Sequence, residues 1–184
     1  HRGDGLGARA LTFIAPTVAA GIHLRAKRGV GQPLNIIVCE NLHGAAAIFR
    51  GMVSEQLDSA GREYLAAHVG FVDTVIGRMV PELPPELRAQ DPTLIIVEPY
   101  KELPVDRSGF VGPVPHIVGM EPCDNFELYT ARKLYLHNAG HAVLGYLGYR
   151  RKHKLGYEAL EDPEIRPILS DALNESVRGI VAHY

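Results

Sequence analysis

The sequence predicts an α/β fold that gives way to an all-helical region beyond about residue 110. Two short apolar runs, at 34–39 and 94–98, are typical of strands that are buried on both faces of a parallel sheet. Apolar residues at helical spacing surround the first run. The predicted helices of this part of the chain cover 8–27, 43–56 and 60–67.

Proline marks the irregular points of this first part. Pro16 lies inside helix 8–27 and predicts a kink or a late helix start. Residues 69–80 are expected to be extended, and the three prolines within 81–85 predict a turn or linker after them. Residues 104–122 are rich in Gly and Pro, so we expect irregular structure there.

The helical region opens with a helix-start signal. Asp124 and Glu127 have the spacing of a capping-box variant, which predicts one long helix over 124–149. A second start signal follows, where Asp162 is the expected N-cap and Pro163 the first helical residue. The second half of the chain is therefore predicted to be a set of packed helices.

Composition argues against several classes of protein. A chain of 184 residues with 46% hydrophobic side chains can bury the core of one or two domains. Its net charge of −2 gives no electrostatic reason to expect nucleic acid or an anionic membrane as a partner. No apolar run approaches the roughly 18 residues of a membrane span, and no secretory signal begins the chain. The two cysteines, Cys39 and Cys123, are expected to be free thiols, which favours a soluble, cytoplasmic protein.

The most informative pattern lies in the first long helix of the C-terminal half. Lys133, Asn138 and His141 stand at i, i+5 and i+8 within an apolar run. In an α-helix, Asn138 lies roughly 140° and His141 roughly 80° around the axis from Lys133, so all three can line one broad face. Partial burial would lower the pKa of the lysine toward the range of a general base. The pattern therefore indicates proton transfer to or from a hydroxyl or carbonyl oxygen.

Each of these residues also has a plainer interpretation. A lysine is usually solvated, Asn138 could be a helix-surface amide, and His141 could be a core histidine. The i, i+4 pair His137 and His141 has zinc-ligand spacing, but Asn138 stands where the metalloprotease pattern needs Glu. No third ligand is evident, so no metal site is predicted. Gly140 weakens the helix, which suggests close approach of a ligand or another backbone.

A glycine pattern at the start of the chain suggests a nucleotide-binding loop. Gly3, Gly5 and Gly7 are spaced by single residues, but only two residues precede them. A dinucleotide loop needs a strand before it, so we reject this interpretation.

Several segments resemble the mannitol dehydrogenase family of polyol-specific long-chain dehydrogenases, and within it the mannitol-1-phosphate 5-dehydrogenases. The resemblance extends over essentially the whole chain from about Ile14 onward. The segments that carry it are LNIIVCEN at 34–41, VGFVD at 69–73, GMEPCDN at 119–125, RKL at 132–134, and NAGHA at 138–142.

This resemblance implies the C-terminal part of a Rossmann-type NAD-binding domain at 1–110. The first part of a mainly α-helical substrate domain would follow at 111–184. It further implies a metal-independent, NAD-dependent oxidoreductase that interconverts mannitol 1-phosphate and fructose 6-phosphate. Tagaturonate or fructuronate reduction, or oxidation of another polyol, is the alternative within the family. A non-catalytic fragment or interaction module that has lost nucleotide binding is the alternative outside it.

The resemblance also assigns roles to individual residues. Lys133 would be the general acid/base, Asn41 and Asn138 would position the reacting oxygen and the lysine, and His141 would bind substrate. The partners are then a sugar alcohol phosphate and a sugar phosphate. The cofactor-binding residues are unknown, because the family's glycine-rich loop should precede residue 1. Much of the family's helical domain should follow Tyr184. The resemblance implies an acidic residue at position 77, where this chain has Gly77.

Overall fold

The computed structural model describes residues 7–184, so Gly3 and Gly5 of the glycine pattern lie outside the described residues. The chain forms two compact units. The first ends at Asp124 and the second comprises Asn125–Tyr184. The change of composition near residue 110 lies inside the first unit, because two strands that flank it pair with each other.

A pair of parallel strands forms the centre of the first unit. Strand β1 (Leu34–Val38) pairs with β2 (Val69–Asp73), in a register that sets Leu34 opposite Val69 and Val38 opposite Asp73. Parallel neighbours need a long crossover, which here consists of helices α2 (Ala45–Glu55) and α3 (Ser59–His68). The apolar run at 34–39 therefore forms the strand that the sequence predicts.

Helix α1 (Gly7–Lys27) packs against the crossover helices and contains Pro16 within its length. The core beneath these helices is apolar, and the rings of Phe49 and Phe71 meet edge to face with centroids 5.7 Å apart. Buried members of this core include Leu11, Ala15, Ile22, Val38, Val53, Leu65 and Val69. The cluster fixes β1 and β2 against the helices and so fixes the carboxyl ends of both strands.

The remaining elements of the first unit are short. After helix α4 (Pro85–Gln90), strand β3 (Leu103–Asp106) pairs in parallel with β4 (Met120–Cys123). The hydroxyl of the buried Thr74 donates a 2.6 Å hydrogen bond to the carbonyl of Pro104. The expectation of irregular structure over 104–122 is therefore wrong at both ends, where strand residues occur.

The second predicted strand is not formed. Residues 94–98 are irregular, and Ile95 is 70% exposed while Val97 is 40% exposed. An apolar run can form a buried strand only where a neighbour pairs with it, and no ladder includes these residues within 7–184. The strand that pairs with β1 is instead the start of the segment predicted to be extended, and this strand ends at Asp73.

The second unit consists of helices. Helix α5 (Phe126–Arg132) continues through a π-helical segment (Lys133–Asn138) into α6 (Ala139–Arg150), and α7 (Gly156–Glu161) and α8 (Ile165–His183) follow. The long helix predicted over 124–149 is present, but it starts at Phe126 and is not α-helical throughout. The capping box predicted for Asp124 and Glu127 is absent, because the N-cap residue is Asn125 and its side chain makes no cap bond.

Asp162 ties the end of α6 to the start of α8. Its carboxylate accepts a 2.6 Å hydrogen bond from Nε of Arg151 and lies 2.9 Å from Nε2 of His153. The same carboxylate accepts bonds from the backbone N–H groups of Glu164 and Ile165. The predicted helix start is nevertheless wrong, because α8 begins at Ile165 with Glu164 as its N-cap residue, so Asp162 and Pro163 both precede the helix. These contacts hold the pKa of Asp162, which is only 7% exposed, well below its usual range, chiefly through the His153 bond.

Candidate functional site

Lys133 begins the π-helical segment, and Asn138 ends it. The segment is marked by a hydrogen bond from the N–H of Ala139 to the carbonyl of Leu134, which is an i→i+5 bond. Each such turn contains one residue more than an α turn. Short π-helical turns inside α-helices occur frequently at functional sites, because they change the side chains that share one face.

The π turn changes the geometry expected for the polar face. Residues five apart in a π turn are neighbours along the axis, as residues four apart are in an α-helix. Asn138 therefore lies on the same side of the helix as Lys133, rather than roughly 140° away. His141 follows Asn138 at i+3 in α6, where residues are also neighbours on one face. A π turn is thus expected to bring the three residues closer to one face than a regular α-helix would.

Lys133 is partly buried, and this burial lowers the pKa of its ammonium group from the ordinary lysine value. Desolvation acts in this direction because removal from water disfavours the charged form. The predicted direction of the shift is therefore confirmed. Asn138 is also partly buried, whereas His141 is exposed. A lysine with a lowered pKa beside an amide can exchange a proton with a bound oxygen.

The rings of His137 and His141 lie close together, with centroids 4.7 Å apart and planes inclined by 58°. Among the described residues, no group of three or more His, Cys, Asp or Glu side chains could hold a metal ion. A zinc site needs at least one further protein ligand beside such a pair. Within 7–184, the two histidines are therefore ring neighbours on one helix and not part of a larger ligand cluster.

Gly140 has a packing explanation within the second unit. It is buried, and a Cβ at this position would lie 3.5 Å from Cδ2 of Leu173 and 3.7 Å from Cδ1 of Leu169. Both neighbours are side chains of α8. The expectation that a ligand or another backbone approaches this glycine is therefore wrong, since apolar side chains cover it.

Asn41 is placed in the first unit, in the loop 39–44 that follows β1. Ligands of open parallel sheets bind beyond the carboxyl ends of the strands, and Asn41 is exposed there. The preceding Cys39 has a raised pKa, first because its thiol is partly desolvated and second because Glu40 is adjacent. The thiol is therefore mostly protonated at neutral pH.

Asp73 is a residue at this edge that sequence reasoning missed. It ends β2, and its Oδ1 accepts a 2.8 Å hydrogen bond from the N–H of Ala46 in the first turn of α2. An acidic residue within the segment predicted to be extended, 69–80, is the available signal. The partner, Ala46, could not be predicted from the sequence. The pairing of Asp73 with Val38 at the end of β1 places Asp73 near the start of α2, and this pairing is known only from the structure.

Gly77, where the resemblance leads us to expect an acidic residue, lies beside the ring of Tyr100. A Cβ at this position would lie 3.0 Å from Cε1 of the Tyr100 ring. A larger side chain would therefore require Tyr100 to move, so glycine at this position fits the local packing.

The described residues fit a dinucleotide only in part. Parallel strands β1 and β2 provide the type of sheet edge at which such cofactors bind. The connection from β1 to α2 contains Glu40 and a single glycine, Gly44, rather than a glycine-rich turn that would admit a pyrophosphate. This connection therefore lacks the glycine-rich turn that would bind a pyrophosphate.

Models of known protein families identify the family of this chain. The mannitol dehydrogenase Rossmann domain matches residues 5–119, and the mannitol dehydrogenase C-terminal domain matches residues 125–184. The chain belongs to the mannitol dehydrogenase family. The family and the α/β, Rossmann-type fold class predicted from the sequence are thus confirmed.

Two solved structures share the fold of this member of the mannitol dehydrogenase family. A D-sorbitol dehydrogenase in substrate-free form matches with a TM-score of 0.67 and 21% identity over 85% of this chain and 35% of the solved chain. Mannitol 2-dehydrogenase from Pseudomonas fluorescens, in ternary complex with NAD and D-mannitol, matches with a TM-score of 0.64 and 21% identity. That match covers 89% of this chain and 39% of the solved chain. The chain thus spans well under half the length of both structures.

None of the helices in the described part of the chain combines the length and the apolar character needed to cross a bilayer.

Proposed function

We propose that this chain belongs to an NAD-dependent oxidoreductase that interconverts mannitol 1-phosphate and fructose 6-phosphate. The observation that carries the proposal is Lys133, whose pKa is lowered by burial and which shares one face of a π turn with Asn138. The membership of the mannitol dehydrogenase family supports it. The mannitol 2-dehydrogenase of similar fold is a complex with NAD, which supports NAD as the cofactor.

Lys133 is the proposed general acid/base. In the direction of oxidation, its neutral Nζ takes the proton of the substrate hydroxyl, and the O–H electron pair becomes the second bond of the carbonyl. The hydride leaves the same carbon at the same time. NAD, when bound, supplies the nicotinamide carbon that accepts this hydride. In the direction of reduction, the ammonium of Lys133 returns the proton to the oxygen.

Asn138 and His141 are the proposed substrate-binding residues of the second unit. The amide of Asn138 can donate a hydrogen bond to the oxygen on which charge develops, and this interaction strengthens in the transition state. The exposed imidazole of His141 can bind a neighbouring hydroxyl of the polyol.

Asn41 is the proposed substrate-binding residue of the first unit. Its place beyond the carboxyl end of β1 supports this role, because ligands of open α/β sheets bind there. We also propose a cytoplasmic location, which is supported by the free thiols Cys39 and Cys123.

A second candidate function is the oxidation of an unphosphorylated polyol. It is favoured by the fold neighbours, which are a sorbitol dehydrogenase and a mannitol 2-dehydrogenase in complex with D-mannitol. Reduction of tagaturonate or fructuronate remains a third candidate. A non-catalytic module that lacks nucleotide binding is the alternative outside the enzymes, and it is favoured by the connection from β1 to α2, which is not glycine-rich.

The complete natural protein should be assayed with NAD on mannitol 1-phosphate, mannitol and sorbitol, and with NADH on fructuronate and tagaturonate. We expect kcat/KM to be highest for mannitol 1-phosphate. A higher value for mannitol or sorbitol would replace the phosphate proposal with the second candidate. Calorimetric titration with NADH separates the enzymes from the non-catalytic module, for which no binding is expected.

A further inference from the structure

Asp73 holds both ends of the loop that carries Asn41. Its backbone is the register partner of Val38, the last residue of β1. Its carboxylate Oδ1 accepts the 2.8 Å hydrogen bond from the N–H of Ala46, in the first turn of α2. The loop 39–44 runs between these two points. A single residue on the neighbouring strand therefore closes the loop at its start and at its end.

The carboxylate of Asp73 replaces a cap that α2 does not supply itself. The N-cap residue is Gly44, which has no side chain to accept a bond, and the first turn of α2 contains no acidic residue. Gly44 has a φ of 65°, in the left-handed region, and so turns the chain into the helix. A negative charge is favourable at this helix end, where backbone N–H groups have no partner within the helix.

We propose that Asp73 is a positioning residue that fixes the loop 39–44 and thereby the amide of Asn41, an inference that rests on the proposed function of Asn41. A loop closed at both ends has fewer conformations than one held at its start alone. A side chain held in place before substrate arrives loses less entropy on binding and keeps its reactive geometry. Without the carboxylate, the first turn of α2 opens and the Asn41 loop becomes mobile.

Amide hydrogen exchange tests the structural part of this proposal on the chain itself. In Asp73→Ala we expect exchange of the Ala46 amide and of residues 40–45 to accelerate at least about tenfold. In Asp73→Asn the acceleration should be smaller, because an amide oxygen can accept the same bond without the charge. Unchanged exchange of the loop in Asp73→Ala would overturn the proposal.

Asp58→Ala provides a matched control for the exchange experiment. Asp58 accepts a 2.7 Å bond from the N–H of Gly61 and caps α3 in the same unit. Its loss should accelerate exchange at the start of α3 and leave residues 40–45 unchanged. Thermal unfolding identifies any variant that fails to fold. If Asp73→Ala fails to fold, Asp73→Asn carries the comparison: faster loop exchange supports the proposal and wild-type exchange overturns it.

A double-mutant cycle tests the functional part in the complete natural protein. We expect Asp73→Ala to lower kcat by at least about tenfold, as Asn41→Ala does, with a smaller effect on KM. The double variant should be no worse than Asn41→Ala, because both changes remove the same interaction. Asp58→Ala combined with Asn41→Ala should instead show independent effects.

Two outcomes of the cycle separate the inference from the function on which it rests. If Asp73→Ala and Asn41→Ala lower kcat independently, Asp73 only caps α2 and the proposed positioning role is wrong. If Asn41→Ala alone leaves kcat and KM unchanged, the proposed function of Asn41 fails. In that event, the exchange experiment still decides whether Asp73 fixes the loop.

Discussion

Gly148 packs directly against Ala159: a Cβ added to Gly148 would lie 2.9 Å from the Cβ of Ala159. Contacts this short force atoms to shift, so α6 and α7 can approach this closely only because residue 148 has no side chain. Gly140 stands in the same helix in a roomier place, with its nearest side-chain atom at 3.5 Å. The two glycines therefore differ in what they contribute, although the sequence presents them alike.

The substitutions Gly140→Ala and Gly148→Ala should have opposite effects on stability. Gly140→Ala should raise the free energy of unfolding by up to about 1 kcal/mol, because alanine favours the helix and makes only ordinary contacts. Gly148→Ala should lower it, because overpacking costs about 1–3 kcal/mol and exceeds the helix gain. Urea denaturation of the two variants measures both values. Equal effects would contradict the packing described for α6.

Lys133→Ala should lower kcat for polyol oxidation by about 10²–10⁴-fold, because a positioned base contributes that factor. The thermal midpoint should change little. Lys152→Ala, at an exposed position, is the matched control and should retain wild-type activity. Reduction of NAD followed by absorbance gives both rates. Near-normal turnover by Lys133→Ala would remove the lysine from the mechanism.

The rate of oxidation should depend on pH through Lys133. The neutral amine is the form that accepts the proton, so kcat/KM should rise with pH until the lysine is deprotonated and then level off. Because burial lowers the pKa of Lys133, the plateau should begin below the ordinary lysine value of about 10.4. The reduction rate should fall over the same range, because it needs the ammonium. A pH profile of Lys133→Ala that keeps the same rising limb would assign that limb to another group.

Acid should loosen the second unit through Asp162. The pKa of this carboxyl is lower in the folded chain than in the unfolded chain, where it is about 3.9. Asp162 therefore stabilises the fold above the unfolded value, and this contribution is lost as the pH falls through the folded value. The thermal midpoint should drop below about pH 4, with a smaller drop in Asp162→Asn. Asp171→Asn, at an exposed position of α8, should follow the wild type.

The sequence predicts much of the fold because apolar spacing records which face of an element is buried. The helix over 8–27 and the strand beginning at Leu34 are placed correctly for this reason. The same reasoning fails at 94–98, because an apolar run shows that a strand is possible and does not show that a neighbour exists to pair with it. Pairing is a tertiary property, and here the partner of β1 is β2.

The candidate site is predictable in its residues and less so in its geometry. The spacing of Lys133, Asn138 and His141 indicates a shared face. The π turn itself could not be predicted, because a turn with one additional residue has no characteristic amino-acid composition. The bond from Asp73 to Ala46 could not be foreseen either, because the two residues are far apart in sequence and meet only through the strand register.

The exposed apolar run 94–97 has a consequence for handling the protein. Four consecutive apolar residues, of which Ile95 is 70% exposed, combine high β-propensity with no charge before Glu98. Such segments pair readily with copies of themselves from other molecules. Concentrated solutions of the chain should therefore become turbid through self-association of this run before the protein unfolds, and Ile95→Lys should delay the turbidity.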